Sequence, residues 1–597
     1  MFTKIIKENI VNIIEQTVLL NLVNNGFQNQ RELAKMTNYS VGAVNNAIKS
    51  LINNKMITDN KELTQKAKKE LKKNKPERAI ILAAGFGTRM VPINANKPKG
   101  LIEIQGETLI ERTIKQLKDK HITEIIVVVG FMKEQYEYLI DKYNINLVVN
   151  EDYKTKNNLF SISKVLDKIQ NSYIIPCDLY CKENPFNENE WFSWYMISNK
   201  KDSNSNIRVN RKNELVESNN AAGNRMVGIA YINKDDSTNI KKAIKDLCSK
   251  SNNSECFWED AITDQKKMMI DARIVEDDSI VEINTYEQLR DLDYQSPQLK
   301  DEVIETISKC FSVDTRDINN INVLKKGMTN RSFTFECKGK KYIMRVPGEG
   351  TDQLIDRKKE SEVYNAIKGK GICDNIVYIN PKNGLKITEY INNPRECNPD
   401  NNKDLKKCMA RLKQVHNMNL KVSHRFEVFK EIEKYEKLRN RDSIYPDYQT
   451  TKNNIKSLKT FINNHKEKDV LAHIDSVPDN FLFSKNEKGE EDLHLIDWEY
   501  AGMQDPHIDI AMFCIYALYD RKRVDELINL YFEGKCPDVT RMKIYCYIAV
   551  CGLLWSNWCE YKSLFGIEFG EYSLRQYRYA KEYYRIYKEE YLETINE

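Results

Sequence analysis

The feature that most constrains this 597-residue chain is a strand-to-turn junction near residue 80. Apolar residues run unbroken from Ala79 to Ala84 and then meet Gly85-Phe-Gly87-Thr88-Arg89. An apolar run ending in a glycine turn reads as a strand buried on both faces, the kind found in parallel sheets. The pattern beyond it agrees. Helical spacing over 109–120 precedes a strand pattern over 124–130; 133–143 precedes 146–150, and 158–169 precedes 172–178. Strands separated by helices predict an α/β domain whose parallel sheet is covered on both faces.

Two other blocks flank this one. Over 5–23 the apolar spacing is helical, Asn29 is placed to cap a short helix over 30–37, and 40–54 reads as a further helix. A short hairpin over 55–64 follows. Helix, turn, helix and wing in that order predict a winged helix-turn-helix-like domain. The third block opens strand-rich over 332–348 and becomes helical, a two-lobed layout. The chain thus reads as multidomain α/β: a winged-helix-like domain with a basic connector over 1–75, a Rossmann-like domain over 76–295, and a bilobal domain over 301–597.

Charge narrows the partners. Lys and Arg total 92 against 87 Asp and Glu, but residues 1–75 alone carry +7, of which 61–75 hold +5. The excess is a lysine-rich connector, which reads as a solvated helix. Residues 1–60 sum to +2, and the candidate recognition helix offers Asn45, Asn46 and Lys49 without an arginine. Phosphate neutralisation supplies most affinity for DNA, so this charge argues against tight binding to nucleic acid. The apolar runs fall short of the ~20 residues of a membrane span. The N-terminus has no cleavage-site pattern, and the 14 cysteines include no CxxC. A cytoplasmic protein without a membrane partner is expected.

Glycines at a strand exit let backbone N–H groups approach a triphosphate, beside the positive end of the next helix. Arg89 can clamp phosphate bidentately, and Lys99, in Lys97-Pro-Lys99, adds a mobile charge. The string from Leu82 through Ala84, Gly85, Gly87, Thr88 and Arg89 to Lys99 resembles the nucleotidyltransferases that make sugar-nucleotides and CDP-alcohols. Within them, residues 79–292 look most like bacterial CTP:phosphocholine cytidylyltransferases. The matching features are Asn157-Asn158, the strand-end Asp178, and Phe257-Trp258-Glu259-Asp260. The resemblance implies CTP and phosphocholine as substrates, with Trp258 and Asn158 at phosphocholine and Asp178 on Mg²⁺. One departure stands out. The family often carries a second metal-binding Asp in a late EID[ST] string, which here reads Glu282-Ile-Asn284-Thr. Glu282, Glu259 or Asp260 then supplies the missing charge, or the transferase is weakened; Glu259 is taken as the second ligand.

In the third block, His473-Ile-Asp475 leads to Asn480, and a strand ends at Asp497-Trp498-Glu499-Tyr500. A kinase needs a carboxylate at the attacking hydroxyl, an amide oxygen on metal, and a second metal carboxylate. Asp475 is placed as the base, with Asn480 and Asp497 as metal ligands. The string resembles choline/ethanolamine kinases and, more distantly, aminoglycoside phosphotransferases. That resemblance implies ATP and choline as substrates and a phosphate-covering loop around Asn330. It also implies a phosphate-pairing Arg345 with Glu360 as its partner, and a hinge at Glu389. An exposed-face ion pair is the plainer alternative for Arg345 and Glu360. Choline has no N–H donor and must be held by ring faces and carboxylates. Tyr500, Trp555 and Trp558 are the candidates, although an aromatic pair at helical spacing also suits a core. Ethanolamine remains an alternative substrate, and a DNA-binding regulator that senses choline metabolites remains an alternative role. Oligomeric state is not legible.

Overall fold

A computed structural model describes residues 12–37, 39–73, 75–87, 90–93, 97–210, 213–218, 222–264, 267–324, 330–348, 355–485, 489–565 and 567–592. The chain divides into two compact units, Met1–Thr306 and Ile307–Glu597.

The first unit begins with helices Ile13–Asn25, Gln30–Thr37 and Val41–Asn53. Asn12 starts the first one: its side chain accepts from the N–H groups of Ile14 and Glu15, and Glu15 returns the bond to Asn12. Ser40 caps the third helix in the same manner, at the N–H of Ala43. Val18, Leu19, Val44, Ile48 and Leu51 close a small core, and Ile57 pairs with Leu63 in a short antiparallel wing. The lysine-rich connector contains the helix Gln65–Lys73, which buries only Ala67 and Leu71 and leaves its lysines to solvent. Trp191, from beyond the third block of helix and strand, packs against this N-terminal core. Nothing in the sequence pattern announced that contact.

Among the described residues, the α/β domain is built on a ten-stranded sheet. Arg78–Ala83 lies between Glu124–Val129 and Ser172–Pro176, parallel to both, with Asn146–Val149 outside Glu124–Val129. Alternate residues of one strand serve opposite faces: Ile81 and Val127 pack under Ile110 and Leu117, while Ile80 and Val128 pack against Ile162 and Ile240. The expected two-sided parallel sheet covers only this half. Gly223–Ile232 runs antiparallel to both Ser172–Pro176 and Trp194–Asp202, and Lys267–Val275 runs parallel to Trp194–Asp202. Strand-to-strand returns without a crossover helix make antiparallel pairs, so the alternation rule stops applying there.

The second unit has two lobes. Five antiparallel strands, Asn319–Val323, Asn330–Cys337, Lys340–Pro347, Lys386–Glu389 and Ile376–Ile379 in spatial order, carry the helix Arg357–Ile367. The other lobe is helical around Asp538–Ser563, which packs against Glu571–Tyr587. The apolar run Ile544 to Trp555 lies inside that central helix and is buried on every side, as a helix without an exposed stripe must be. Among the described residues, no helix is long and apolar enough to cross a membrane.

Candidate active sites

In the first unit, the exits of strands Arg78–Ala83 and Ser172–Pro176 open on a cavity of about 530 Å³. Leu82, Ala84, Gly85, Gly87, Lys99, Asn158, Asp178 and Trp258 all line it. Strand ends at the point where the chain crosses over are the usual place for a ligand in such sheets. Lys99 is the centre of the cavity's charge: its Nζ lies 3.0 Å from Asp178 Oδ2 and 2.8 Å from Asn284 Oδ1. Gly87 explains why glycine stands there. Its φ is +61°, and a Cβ would come within 2.7 Å of Lys99 Cγ, so the turn can close over the lysine stem only without a side chain. Lys97 turns elsewhere and pairs with Glu103 at 2.7 Å. The two lysines of one short string are thereby separated into a cavity group and a surface group.

The remaining candidate residues of this unit divide. Thr88 and Arg89 lie outside the described residues. Asn158 Oδ1 accepts from the Trp258 N–H at 2.8 Å, which binds the two elements that carry them. Trp258 touches the cavity but is only 1% exposed, its ring 6.0 Å from that of Tyr195, so most of it serves the core. Glu259 does not join Lys99 and Asp178. The turn Trp258–Ile262 sends its carboxyl inward, where it accepts from the Tyr195 hydroxyl at 3.0 Å. Burial pushes the Glu259 carboxyl up to about 7. Asn284, noted in the sequence as a departure, is the residue that shares Lys99 with Asp178. Sequence reasoning missed the cavity wall made by Tyr153, Lys154, Thr155 and Lys156. Its signal was present as two lysines immediately before Asn157-Asn158, on a loop that no periodicity marks.

In the second unit, the loop from His473 to Asn480 follows the strand Val470–Ala472. Buried Asp509 organises it: its carboxylate accepts from the N–H groups of His473 at 2.9 Å and Ile474 at 2.7 Å, and meets His416 Nε2 at 2.9 Å. Ile474 sits at φ +70°, a left-handed conformation costly for a β-branched residue, and the bond to Asp509 holds it there. Asn480 Nδ2 donates to the Asp475 backbone oxygen at 2.8 Å and to Asp475 Oδ2 at 3.2 Å. Burial, and then the negative charge of Asp497, push the Asp475 carboxyl up to about 7.

Arg345, on the strand Lys340–Pro347, is ion-paired with Glu360 of the helix Arg357–Ile367. Both side chains are buried, so this is not an exposed-face pair. The Arg345 Nη1 also lies 3.3 Å from Asp497 Oδ1 and 3.3 Å from Glu499 Oε2. One guanidinium therefore links the small lobe to Asp497 and Glu499, just beyond the strand Glu491–Leu495. Glu389 ends the strand Lys386–Glu389 as expected, but its N–H donates to Asn375 O and the next N–H, of Tyr390, to Lys341 O. These two N–H groups are therefore engaged within the lobe. The side chain of Asn330, like residues 325–329, lies outside the described residues.

The aromatic residues do assemble. The rings of Tyr500 and Trp555 are 5.9 Å apart at 78°, Trp555 and Trp558 5.7 Å at 64°, and Trp558 and Phe569 5.2 Å at 57°. Trp555 is 7% exposed and Trp558 half-buried, and the Trp558 indole N–H is buried without a hydrogen-bond partner. Among the described residues no three Asp, Glu, His or Cys side chains form a metal cage. Asp178 in one site and Asp497 with Asn480 in the other still fit Mg²⁺, which binds one or two protein oxygens plus substrate phosphates and water.

Known protein families match three stretches of the chain. A model of the MobA-like NTP transferase domain matches residues 79–186, and one of choline/ethanolamine kinase matches 321–534. A third, described as wHTH-PRTase associated, matches 17–85. Choline-phosphate cytidylyltransferase of Streptococcus pneumoniae is 32% identical over 221 residues, 36% of this chain and 96% of that protein. Protein LicA of Haemophilus influenzae is 27% identical over 265 residues, 42% of this chain and 76% of that protein. The crystal structure of choline kinase LicA from Streptococcus pneumoniae aligns at 28% identity and a TM-score of 0.41, covering 47% of this chain and 97% of the other.

Proposed function

The chain belongs to the choline-phosphate cytidylyltransferase family and carries a choline/ethanolamine kinase domain as well, and from that premise we propose that it converts choline to CDP-choline in two steps. The domains are taken as 1–75, 76–295 and 301–597, and the reactions as cytoplasmic, where both nucleotides are made. In the kinase, the choline hydroxyl oxygen attacks the γ-phosphorus of ATP, the bond to the β–γ bridging oxygen breaks, and Asp475 takes the hydroxyl proton. Arg345, fixed by Glu360, neutralises the phosphate chain. In the transferase, a phosphocholine oxygen attacks the α-phosphorus of CTP and pyrophosphate leaves. Backbone N–H groups at Gly85 and Gly87 and the ammonium of Lys99 stabilise the charge that develops there. Mg²⁺, held by Asp178 in one site and by Asn480 and Asp497 in the other, supplies further neutralisation of the phosphates when bound. The observation that carries this reading is that one chain builds two separate sites, Lys99–Asp178–Asn284 and Asp475–Asn480. Radiolabelled choline supplied with ATP and CTP should appear first in phosphocholine and then in CDP-choline; failure to label either product sinks the proposal.

Asn284 carries a direct test. An aspartate in its place would give Lys99 and a bound cation a second carboxylate, so Asn284→Asp should hold or raise the rate of pyrophosphate release from CTP and phosphocholine. A large loss would mean that the neutral amide is what this Lys99 requires.

Trp555 carries another. If Tyr500, Trp555 and Trp558 hold the trimethylammonium group, each ring contact is worth ~0.5–2 kcal/mol. Trp555→Ala should then raise the KM for choline roughly tenfold, the factor equivalent to about 1.4 kcal/mol. The KM for ATP should stay put, and choline should be preferred to ethanolamine in the parent enzyme. A variant that melts early, or loses ATP affinity instead, places the indole in the core.

A further inference from the structure

The first unit holds a second cavity that neither reaction uses. It measures about 440 Å³ and lies where the N-terminal helical domain meets the transferase sheet. Asn24, Asn25 and Tyr39 stand on one side, and Asn187, Phe192 and Arg273 on the other. The joint is built rather than incidental. Trp191 packs against the core of the N-terminal domain, and Asn171 Nδ2 donates to Lys73 O at 3.3 Å.

The chemistry of the lining is specific. Among the described residues its charged groups are Glu190 and Arg273, and they are paired at 3.0 Å. Glu190, 2% exposed, also accepts from Tyr173 Oη at 2.8 Å, Trp194 Nε1 at 3.0 Å and Asn187 Nδ2 at 3.3 Å. Both carboxylate oxygens are therefore engaged, and among the described residues the lining carries no net charge. A charged ligand would lose its hydration there without a counter-charge. Arg273 sits over the Trp194 ring, 4.5 Å from its centroid, with its side chain 29% exposed, and keeps N–H donors beyond the one given to Glu190. Among the described residues, the side-chain oxygens of Asn25, Asn187 and Asn213 accept no hydrogen bond. The wall thus offers both acceptors and donors. A hydroxyl satisfies either kind, and the half-buried rings of Tyr39 and Phe192 offer surface for C–H groups. Domain joints are a favoured place for such sites.

We propose that this joint cavity is a second ligand site, for an uncharged and hydroxyl-rich molecule: a sugar or a sugar alcohol. Because the ligand touches both domains, it ties the N-terminal domain to the transferase and stabilises the pair when bound. The test is titration calorimetry of the full chain with D-glucose, D-galactose, N-acetyl-D-galactosamine and ribitol, each to millimolar concentration. At least one should bind once per chain. Asn24→Trp, a change at an exposed position on the first helix, should plug the cavity and weaken that binding at least tenfold, with turnover of choline and CTP unchanged. Asn25→Trp is the independent plug should the first variant misfold by circular dichroism. Absence of binding by all four, or binding that survives the plug, overturns the proposal.

Discussion

Asp475→Asn should abolish ATP-dependent phosphorylation of choline while CDP-choline still forms from supplied phosphocholine. Loss of a positioned general base costs on the order of 10²–10⁴-fold in rate. The substitution is close to isosteric, and the bond from Asn480 Nδ2 to the backbone oxygen of residue 475 remains, so the loop should keep its shape. The parent kinase should also show an acid limb. Asp475 must be ionised to accept a proton, its carboxyl is pushed up to about 7, and so activity falls as the pH drops through that value. Part of the push comes from Asp497, so any cation that neutralises Asp497 should move the limb to lower pH. A residual rate in Asp475→Asn that kept the same limb would assign the titration to another group. Loss of both activities in a folded variant would contradict two independent sites.

Much of this was legible because the chemistry lies in short strings. The glycine turn after Ala84, the HxDxxxxN spacing and the Asp497 strand end each put their groups together locally, and local geometry follows from sequence. What escaped notice depends on distant parts of the chain. Asn284 stood out only as a departure from the EID[ST] string; that it reaches Lys99 beside Asp178 emerges only in the fold. Asp509, which holds the kinase loop at Ile474, sits in an apolar helix where one acid reads as an exception. Glu259 shows the opposite error. Its neighbours in the sequence suggested a metal ligand, whereas a tight turn directs the side chain to Tyr195. The antiparallel half of the first sheet was hidden for the same reason, since pairing direction depends on how a strand returns and not on its own composition.

Lys99→Met should remove cytidylyl transfer and spare the kinase. Methionine keeps an unbranched stem under Gly87, where a shorter side chain would leave a gap against the turn. The stem's packing therefore survives and only the ammonium is lost. That ammonium is the cation nearest Asp178 among the described contacts, and it lies in a cavity walled by the exits of two strands. A preorganised donor aimed at charge that develops in the transition state is worth on the order of 10²–10³-fold when removed. The expected loss falls mainly on kcat for pyrophosphate release, because the same charge develops on the α-phosphate whichever acceptor is bound. Asn284→Asp in the same background should not restore activity, since a second carboxylate adds nothing that the missing cation supplied. Unchanged turnover in Lys99→Met would mean that Lys154 or Lys156, which also line the cavity, carries the phosphate charge. The site would then be centred on that loop and not on the glycine turn.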